Sequence, residues 1–389
     1  MVVRNQPGFN HVLLYEARTA RGYTQKDIAQ KLAITRQAFS AYETGATVPK
    51  TEMVTMIAEE LNFPFEYFYG DAQHVDTGPI FFRRNRTAHE RTRDAIATRI
   101  RWLMRVFMHY SLQLEFPVLN IDRKFDEEYS NEEIEHITQN IRCRWKLGLG
   151  PIGNVINVLE NNGFVISRFS LNLKGADACS AINDSLGDLR SYVCSIDQRD
   201  GVEISAVRDR FSNVHEAAHA FLHSGHSPEY IEMNERQLED EADYFASAFL
   251  LPKDTFGREA LFMTNVMSFV ELKSRWKVSV QAMIRRCRDL ELISPSTHKY
   301  LSQQVGFRRW RVREPLDDSI PKESPALLKN ATEFLLEEQI KTKSEILEDV
   351  NIPASDLEAL LGVEPDYFWD KGNDNKIVIF PKSRALNPA

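Results

Sequence analysis

Two histidines four residues apart, with a glutamate directly after the first, stand in FSNVHEAAHAFLHSGH, residues 211–226. On a helix, positions i and i+4 share one face a turn apart, so His215 and His219 can offer their imidazole nitrogens to a single ion. Glu216 is rotated off that line, where it can hold a water rather than the metal. The chemistry such a set supports is zinc-assisted hydrolysis with Glu216 as general base. Chance places HExxH on the order of once in a hundred chains of this size. A third ligand is therefore the test.

The candidate lies downstream in QLEDEADYFASAFLLP, residues 237–252. Leu238, Ala242, Phe245, Ala246 and Phe249 define the buried face of a helix by their spacing, and Pro252 stops it. Glu239 and Asp243 sit together along one margin of that face, while Glu241 points to the other. A carboxylate ligand with an acid one turn later, free to accept the N–H of a ligating histidine, suits a zinc site. Glu239 is expected as third ligand and Asp243 as its outer partner, with Glu241 as the alternative ligand.

These residues need elements to hold them. Ala206 to His223 reads as one helix with Val207, Phe211, Val214, Ala218 and Leu222 on an apolar stripe. Upstream, the pattern predicts a helix from Ile152 to Leu159, a turn at Asn161-Asn162-Gly163 and a strand from Phe164 to Arg168. A strand from Tyr192 to Ile196 follows a polar loop and is expected to be the edge on which an extended substrate adds. His223 and His226 are candidates for stabilising the oxyanion. Cys179 and Cys194 read as buried and inert rather than as a thiolate on the zinc.

Behind the site, Val266 to Leu292 reads as scaffold helices, even though VSVQAMIRR has a faint helix-turn-helix look. GFRRWRVREPLDDSIPKESP, residues 306–325, reads as a linker. A helix from Ala326 to Ile340, two short helices around Ile352-Pro353 and a strand-like Lys376 to Pro381 follow. Sensing, dimerisation and partner docking all remain open for this tail.

The front of the chain carries different chemistry. Val12, Leu13, Ala17 and Ala20 fall at helix spacing, and Gly22 stops that helix. Thr24 caps the next, with Asp27 three residues on and Ile28, Ala29 and Leu32 facing inward. A tight turn at Ala33-Ile34 leads to Thr35, a second cap, and a helix that stops at Gly45. Two short helices joined in this way form a helix-turn-helix whose second helix enters the major groove. Gln25 can join backbone amides on a phosphate, and Arg36, Gln37 and Ser40 project towards base edges. With Thr24 and Thr35 at the two helix starts, these are the expected DNA-contacting residues.

Composition bounds the rest. The 389 residues carry a net charge of −8, with 43% hydrophobic and 27% charged residues, which is globular and points to two or three domains. No apolar run spans a bilayer, Met1-Val2-Val3-Arg4-Asn5 opens no signal peptide, and four scattered cysteines fit a reducing compartment, so a cytoplasmic protein is expected. Residues 1–110 hold 15 basic against 11 acidic residues, leaving the remainder strongly acidic. The basic excess lies after residue 80, in FFRRNRTAHERTRDAIATRIRWLMR, which reads as a solvated arginine-rich helix rather than a second DNA contact. Residues 1–70 have seven basic and seven acidic residues, so a monomer binds DNA weakly and a homodimer is expected.

Taken together, TQKDIAQKLAITRQAFSAYETGATVPKTEMVTMIAEELNFP resembles the phage-repressor-like (XRE) helix-turn-helix family. RWKLGLGPIGNVINVLENNGFVISR, RDRFSNVHEAAHAFLH, EDEADYFASAFLLP and LKSRWKVSVQAMIRRCRDLELIS resemble the ImmA/IrrE zinc metallopeptidases. The resemblance spans most of residues 10–313. It implies zinc ligands His215, His219 and Glu239 and the general base Glu216. It also implies an endopeptidase that cleaves a helix-turn-helix repressor or antitoxin in a stress, mobile-element or defence system, with double-stranded operator DNA as partner and a neighbouring toxin as a further candidate. The alternative is a transcriptional regulator or antitoxin whose quiet peptidase fold binds a partner or ligand. The expected architecture is multidomain and mainly α. It comprises an all-α helix-turn-helix bundle (1–72), a helical linker region (73–140), an α+β zincin-like peptidase domain with a small sheet (141–313) and a small α-rich C-terminal domain (314–389).

Overall fold

A computed structural model of the chain describes residues 8–71, 75, 77–82, 90–121, 128–169, 178–184, 189–199 and 201–369. The strand-like Lys376 to Pro381 and Arg83 to Arg86 of the basic stretch lie outside them. Mainly helical architecture with a small four-stranded sheet and a two-stranded ribbon is what the described residues adopt.

The first four helices are α1 (His11–Ala20), α2 (Gln25–Lys31), α3 (Arg36–Glu43) and α4 (Thr51–Leu61). Local signals place them. Thr24 and Asp27 form a reciprocal capping box at the start of α2, and the Thr35 hydroxyl accepts the Ala38 N–H at the start of α3. Ala33 takes the left-handed conformation (φ 54°) that turns α2 into α3, and Ile28, Ala29, Leu32 and Phe39 close the core. A 3-10 turn at Phe65–Tyr69 completes the bundle.

Next come β1 (Ile80–Phe82) and α5 (Glu90–Ser111). The sequence reading of this stretch as a solvated helix is wrong in two respects. Phe81 and Phe82 belong to a strand, and α5 is the central strut of the molecule. Ala95, Ile96, Ile100, Trp102, Leu103, Val106 and Phe107 are all buried, and so is Arg105. The arginine count masked the apolar stripe. Arg105 is buried because Glu16 of α1 receives it, its Nη2 lying 2.9 Å from both carboxylate oxygens, with Trp102 and Tyr67 also donating to that carboxylate.

The middle of the chain supplies α6 (Asn131–Arg144), α7 (Val155–Glu160), β2 (Phe164–Phe169), β3 (Ala178–Asn183), β4 (Arg190–Ile196) and a small ribbon of β5 (Gln198–Arg199) and β6 (Val202–Glu203). Gly163 makes the turn into β2 at φ +95°, where an added Cβ would meet the Leu119 backbone nitrogen at 2.4 Å. The main sheet runs β1-β3-β4-β2, with β2 parallel to β4 and the other pairs antiparallel. The strand at Tyr192 to Ile196 is thus central, not the edge expected from sequence. That expectation failed because β3 is built from ACSAIN, whose small residues carry no strand signature and read as a loop.

Both faces of the sheet are covered. Phe164, Ile166, Ile182 and Val193 pack beneath α8 (Ala206–His223) and α9 (Pro228–Leu250). On the opposite face Val165, Tyr192 and Ile196 pack against α5 and the C-terminal helices. Cys179 and Cys194 pair across β3 and β4 on that opposite face, so they point away from α8.

Behind α9 stand α10 (Lys253–Glu259), α11 (Val266–Trp276), α12 (Val280–Asp289) and α13 (Pro295–Phe307), a scaffold closed by buried Trp276, Val278 and Met283. The segment read as a linker, residues 306–325, is pinned. The Lys273 ammonium, fully buried, bonds Glu314 at 2.9 Å and Asp317 at 2.6 Å, and Glu314 also accepts the Val280 N–H that starts α12. Arg210 pairs with Glu323, whose carboxylate caps α7 at Val155 and Ile156. Its charge reversal marked buried ion pairs with partners far away in sequence.

The tail forms α14 (Leu327–Glu337), α15 (Lys343–Val350) and α16 (Ala354–Leu361). Its apolar side chains join the same core as the helix-turn-helix, α5 and the outer sheet face, and Arg21 of the bundle bonds Asp356 of α16 through two contacts of 2.8 Å. Packing therefore crosses the boundaries drawn from sequence at residues 72/73, 140/141 and 313/314.

One buried acid makes this junction sensitive to pH. The Glu160 carboxylate accepts the Ala326 and Leu327 N–H groups at 3.1 Å, and burial pushes its carboxyl up to about 7 from an ordinary 4.5. The folded protein holds a proton here that the unfolded chain has released, so this contribution to stability is complete below pH 4.5 and lost as pH rises through about 7. Glu160→Gln should gain stability relative to wild type, by up to about 3 kcal/mol, between pH 5 and pH 8 in urea titrations. A difference that does not change with pH would remove this assignment.

Candidate metal centre and DNA-binding surface

Helix α8 starts after Ser205 and is buried along most of its length, because it lies between the sheet and α9. His215, Glu216 and His219 are at most 1% exposed. On α9, the expected buried face of Leu238, Ala242, Phe245, Ala246 and Phe249 is buried, and this rotation turns Glu239 towards the two histidines. His215 Nε2 lies 3.5 Å from Glu239 Oε2, and His219 Nε2 lies 3.5 Å from Glu239 Oε1. Burial works to raise the Glu239 carboxyl, but the two imidazoles beside it outweigh burial and hold it well below the carboxylate range.

This geometry fits a metal better than it fits hydrogen bonds. Four ligands at 2.0–2.1 Å around a tetrahedral ion lie about 3.4 Å apart. One ligand atom from each of His215, His219 and Glu239 falls within 4.8 Å of the other two, the only such group of three among the described residues. His219 Nε2 and Glu216 Oε1 are buried with no hydrogen-bond partner among the described residues, as a ligand atom and a water-holding oxygen would be.

The outer partners differ for the two histidines. Asp243 Oδ1 lies 3.0 Å from His215 Nδ1. Arg285 of α12 donates to the other Asp243 oxygen at 3.0 Å, so the segment with a helix-turn-helix look serves this site. His219 Nδ1 lies 2.8 Å from His223 Nδ1, and His223 Nε2 lies 3.1 Å from Glu241 Oε2. An ion held by His219 Nε2 would leave its Nδ1–H to donate to His223, and the Nε2–H of His223 to donate to Glu241.

Two expectations are corrected by this chain of bonds. Glu241 is not in the group whose ligand atoms converge; it backs His223 and also accepts from Gln237 and the Tyr129 N–H. Nor is His223 available to an oxyanion, since both its nitrogens are engaged and burial with neighbouring imidazoles keeps it well below its ordinary value. His226 stands one ring further out, 5.4 Å from His223 and 4.7 Å from Tyr230. The i, i+4, i+8 spacing of His215, His219 and His223 was the available signal for this second link.

Two contributors escaped the sequence reading. Ser180 Oγ of β3 donates to Glu216 Oε2 at 2.7 Å, holding the carboxylate whose pKa burial raises. Phe81 of β1 stacks on His219, with ring centroids 4.6 Å apart and planes 15° from parallel. Neither lies near the motif in sequence, and neither has a spacing that could have exposed it.

At the other end of the molecule, Thr35, Arg36 and Gln37 are exposed and Ser40 is half-buried on α3, a face that no described element covers. Thr24 is exposed within its capping box. Gln25 donates to Glu43 at 2.8 Å, and Glu43 also holds the buried Arg18, so Gln25 is held in place at the helix start. No helix among the described residues is long and apolar enough to cross a membrane.

Comparison with protein families agrees with both ends. The helix-turn-helix family matches residues 14–68, and the IrrE N-terminal-like domain family matches residues 203–288. The chain thus joins a helix-turn-helix DNA-binding domain to an IrrE/ImmA-like peptidase domain, with residues 69–202 and 289–389 outside the two matches. No curated protein matches the chain.

Proposed function

We propose that the chain is a DNA-binding zinc metallo-endopeptidase of the cytoplasm. In this reading it regulates transcription by cleaving a helix-turn-helix repressor or antitoxin in a stress, mobile-element or defence system. The observation that carries this reading is the convergence of His215, His219 and Glu239 beside a buried, serine-held Glu216. His215, His219 and Glu239 would hold the ion, which supplies polarisation of the attacking water and of the scissile carbonyl. Glu216 takes the proton of that water on Oε1 and delivers it to the leaving amine. Asp243 and the His223–Glu241 pair keep the two imidazoles aimed through Nε2.

At the front end, Thr24, Gln25, Thr35, Arg36, Gln37 and Ser40 contact operator DNA, with Arg36 and Gln37 best placed for bases. The near-neutral charge of residues 1–70 favours binding as a homodimer on two half-sites. Arg36→Ala should weaken operator binding by about 1–3 kcal/mol in mobility-shift titrations at fixed salt. An unchanged affinity would take Arg36 out of the interface.

Zinc-loaded full-length protein incubated with the repressor or antitoxin encoded beside it should yield discrete fragments that disappear when the metal is chelated. A partner that stays intact under zinc-loaded conditions while operator binding persists would overturn the peptidase reading and favour a quiet, partner-binding fold. Asp243→Asn should weaken zinc binding by about 10–100-fold in competition against a chelator. Unaltered affinity would deny Asp243 its role on His215.

A further inference from the structure

β1 is the outermost strand of the sheet on the β3 side, antiparallel to β3, with Ile80 opposite Ala181 and Phe81 opposite Ser180. Directly opposed residues of antiparallel strands share a face. Ser180 turns towards α8 and holds Glu216, and Phe81 turns the same way and lies flat on His219, only 4% exposed. Its ring also lies 6.2 Å from that of His223. Just before the strand, Gly78 sits at φ +62°, where a Cβ would meet the Ile182 carbonyl oxygen at 2.6 Å, so the backbone enters in close contact with β3.

We propose that β1 stands in for substrate. The β3 edge is the peptide-binding surface, and its ligand is an extended peptide antiparallel to β3 with a large apolar, preferably aromatic, side chain opposite Ser180. This inference deepens the peptidase reading and rests on it for the fate of the peptide, though not for its binding. A strand edge presents unpaired N–H and C=O groups that any extended chain can satisfy. A peptide whose backbone reached Glu216 along β3 would run through the space β1 fills, and its side chain over His219 would take the place of the Phe81 ring. Binding is therefore an exchange of strands. β1 is only three residues long, so a longer peptide makes more main-chain bonds than it displaces.

The test uses metal-free full-length protein and a fluorescein-labelled peptide, TGPIFFK, followed by anisotropy. Phe81→Asp, which expels the ring from its apolar seat, should bind the peptide at least tenfold more tightly than wild type. Phe81→Ala should show a smaller gain. A peptide with Asp in place of its first Phe should bind neither variant. By hydrogen exchange, the amides of Ala178–Asn183 that face β1 rather than β4 should lose protection in Phe81→Asp and regain it when the peptide is added. In wild type, saturating peptide should speed exchange at residues 80–82, a measurement that needs no variant. Cooperatively folding variants that bind no more tightly than wild type, or a bound peptide that leaves the β1-facing amides of Ala178–Asn183 unprotected, would overturn the proposal. So would wild-type exchange at residues 80–82 that saturating peptide leaves unchanged. Peptide that binds as expected but stays uncut after zinc loading supports the binding surface and counts against the peptidase reading alone.

Discussion

Glu216→Gln should lower cleavage of the partner protein by about 10²–10⁴-fold while the variant still binds one zinc per chain. The carboxylate is fully buried, one oxygen accepts the Ser180 hydroxyl, and the other has no hydrogen-bond partner among the described residues. Glutamine preserves the volume and the bond from Ser180, yet it cannot take a proton from water. Because His215, His219 and Glu239 are untouched, the metal should remain, and single-turnover cleavage beside metal analysis separates the two quantities. Cleavage that continues at the wild-type rate would place the base elsewhere. Loss of zinc would make Glu216 part of the metal site rather than the base.

Arg105→Met is expected to destabilise the protein by about 3–5 kcal/mol, read as a fall in the urea midpoint. The Glu16 carboxylate is 3% exposed and would be left with only the Trp102 and Tyr67 donors at 3.3 and 3.4 Å. A buried charge without its counter-charge carries the full cost of leaving water. The double variant Glu16→Gln with Arg105→Met should recover much of the loss, because no charge is then stranded. A single variant as stable as wild type would show the pair to be incidental. The position matters for function, since Glu16 is on the first helix of the DNA-binding bundle and Arg105 is on the strut under the sheet. The Thr19 and Thr98 hydroxyls, 2.8 Å apart, and Arg99 on the Ala20 carbonyl strengthen the same joint. The bundle is therefore seated on the sheet whose far face carries the candidate metal centre.

The limits of reading by pattern are clearest in the sheet. FVISR and YVCSI carry the strand pattern of β2 and β4, whereas ACSAIN of β3 does not, and without β3 the pattern leaves β4 at an edge. The same omission hid Ser180, and with it the way Glu216 is held. The arginines of α5 give it a solvated look in sequence, because the pattern does not show that Glu16 receives one of them.

The sequence by itself determined what local geometry determines. Helical spacing set which face of α9 is buried, capping residues set where α2 and α3 begin, and the one-turn intervals put His215 with His219 and Glu239 with Asp243. These relations hold within a few residues, so no distant partner can alter them. Only the tertiary structure decided which strand lies at the sheet edge, that Phe81 covers His219, that Glu241 backs His223, and that the DNA-binding bundle rests on α5. Those facts depend on pairings between segments tens to hundreds of residues apart, and such pairings are set by the complementarity of whole surfaces rather than by any periodicity along the chain.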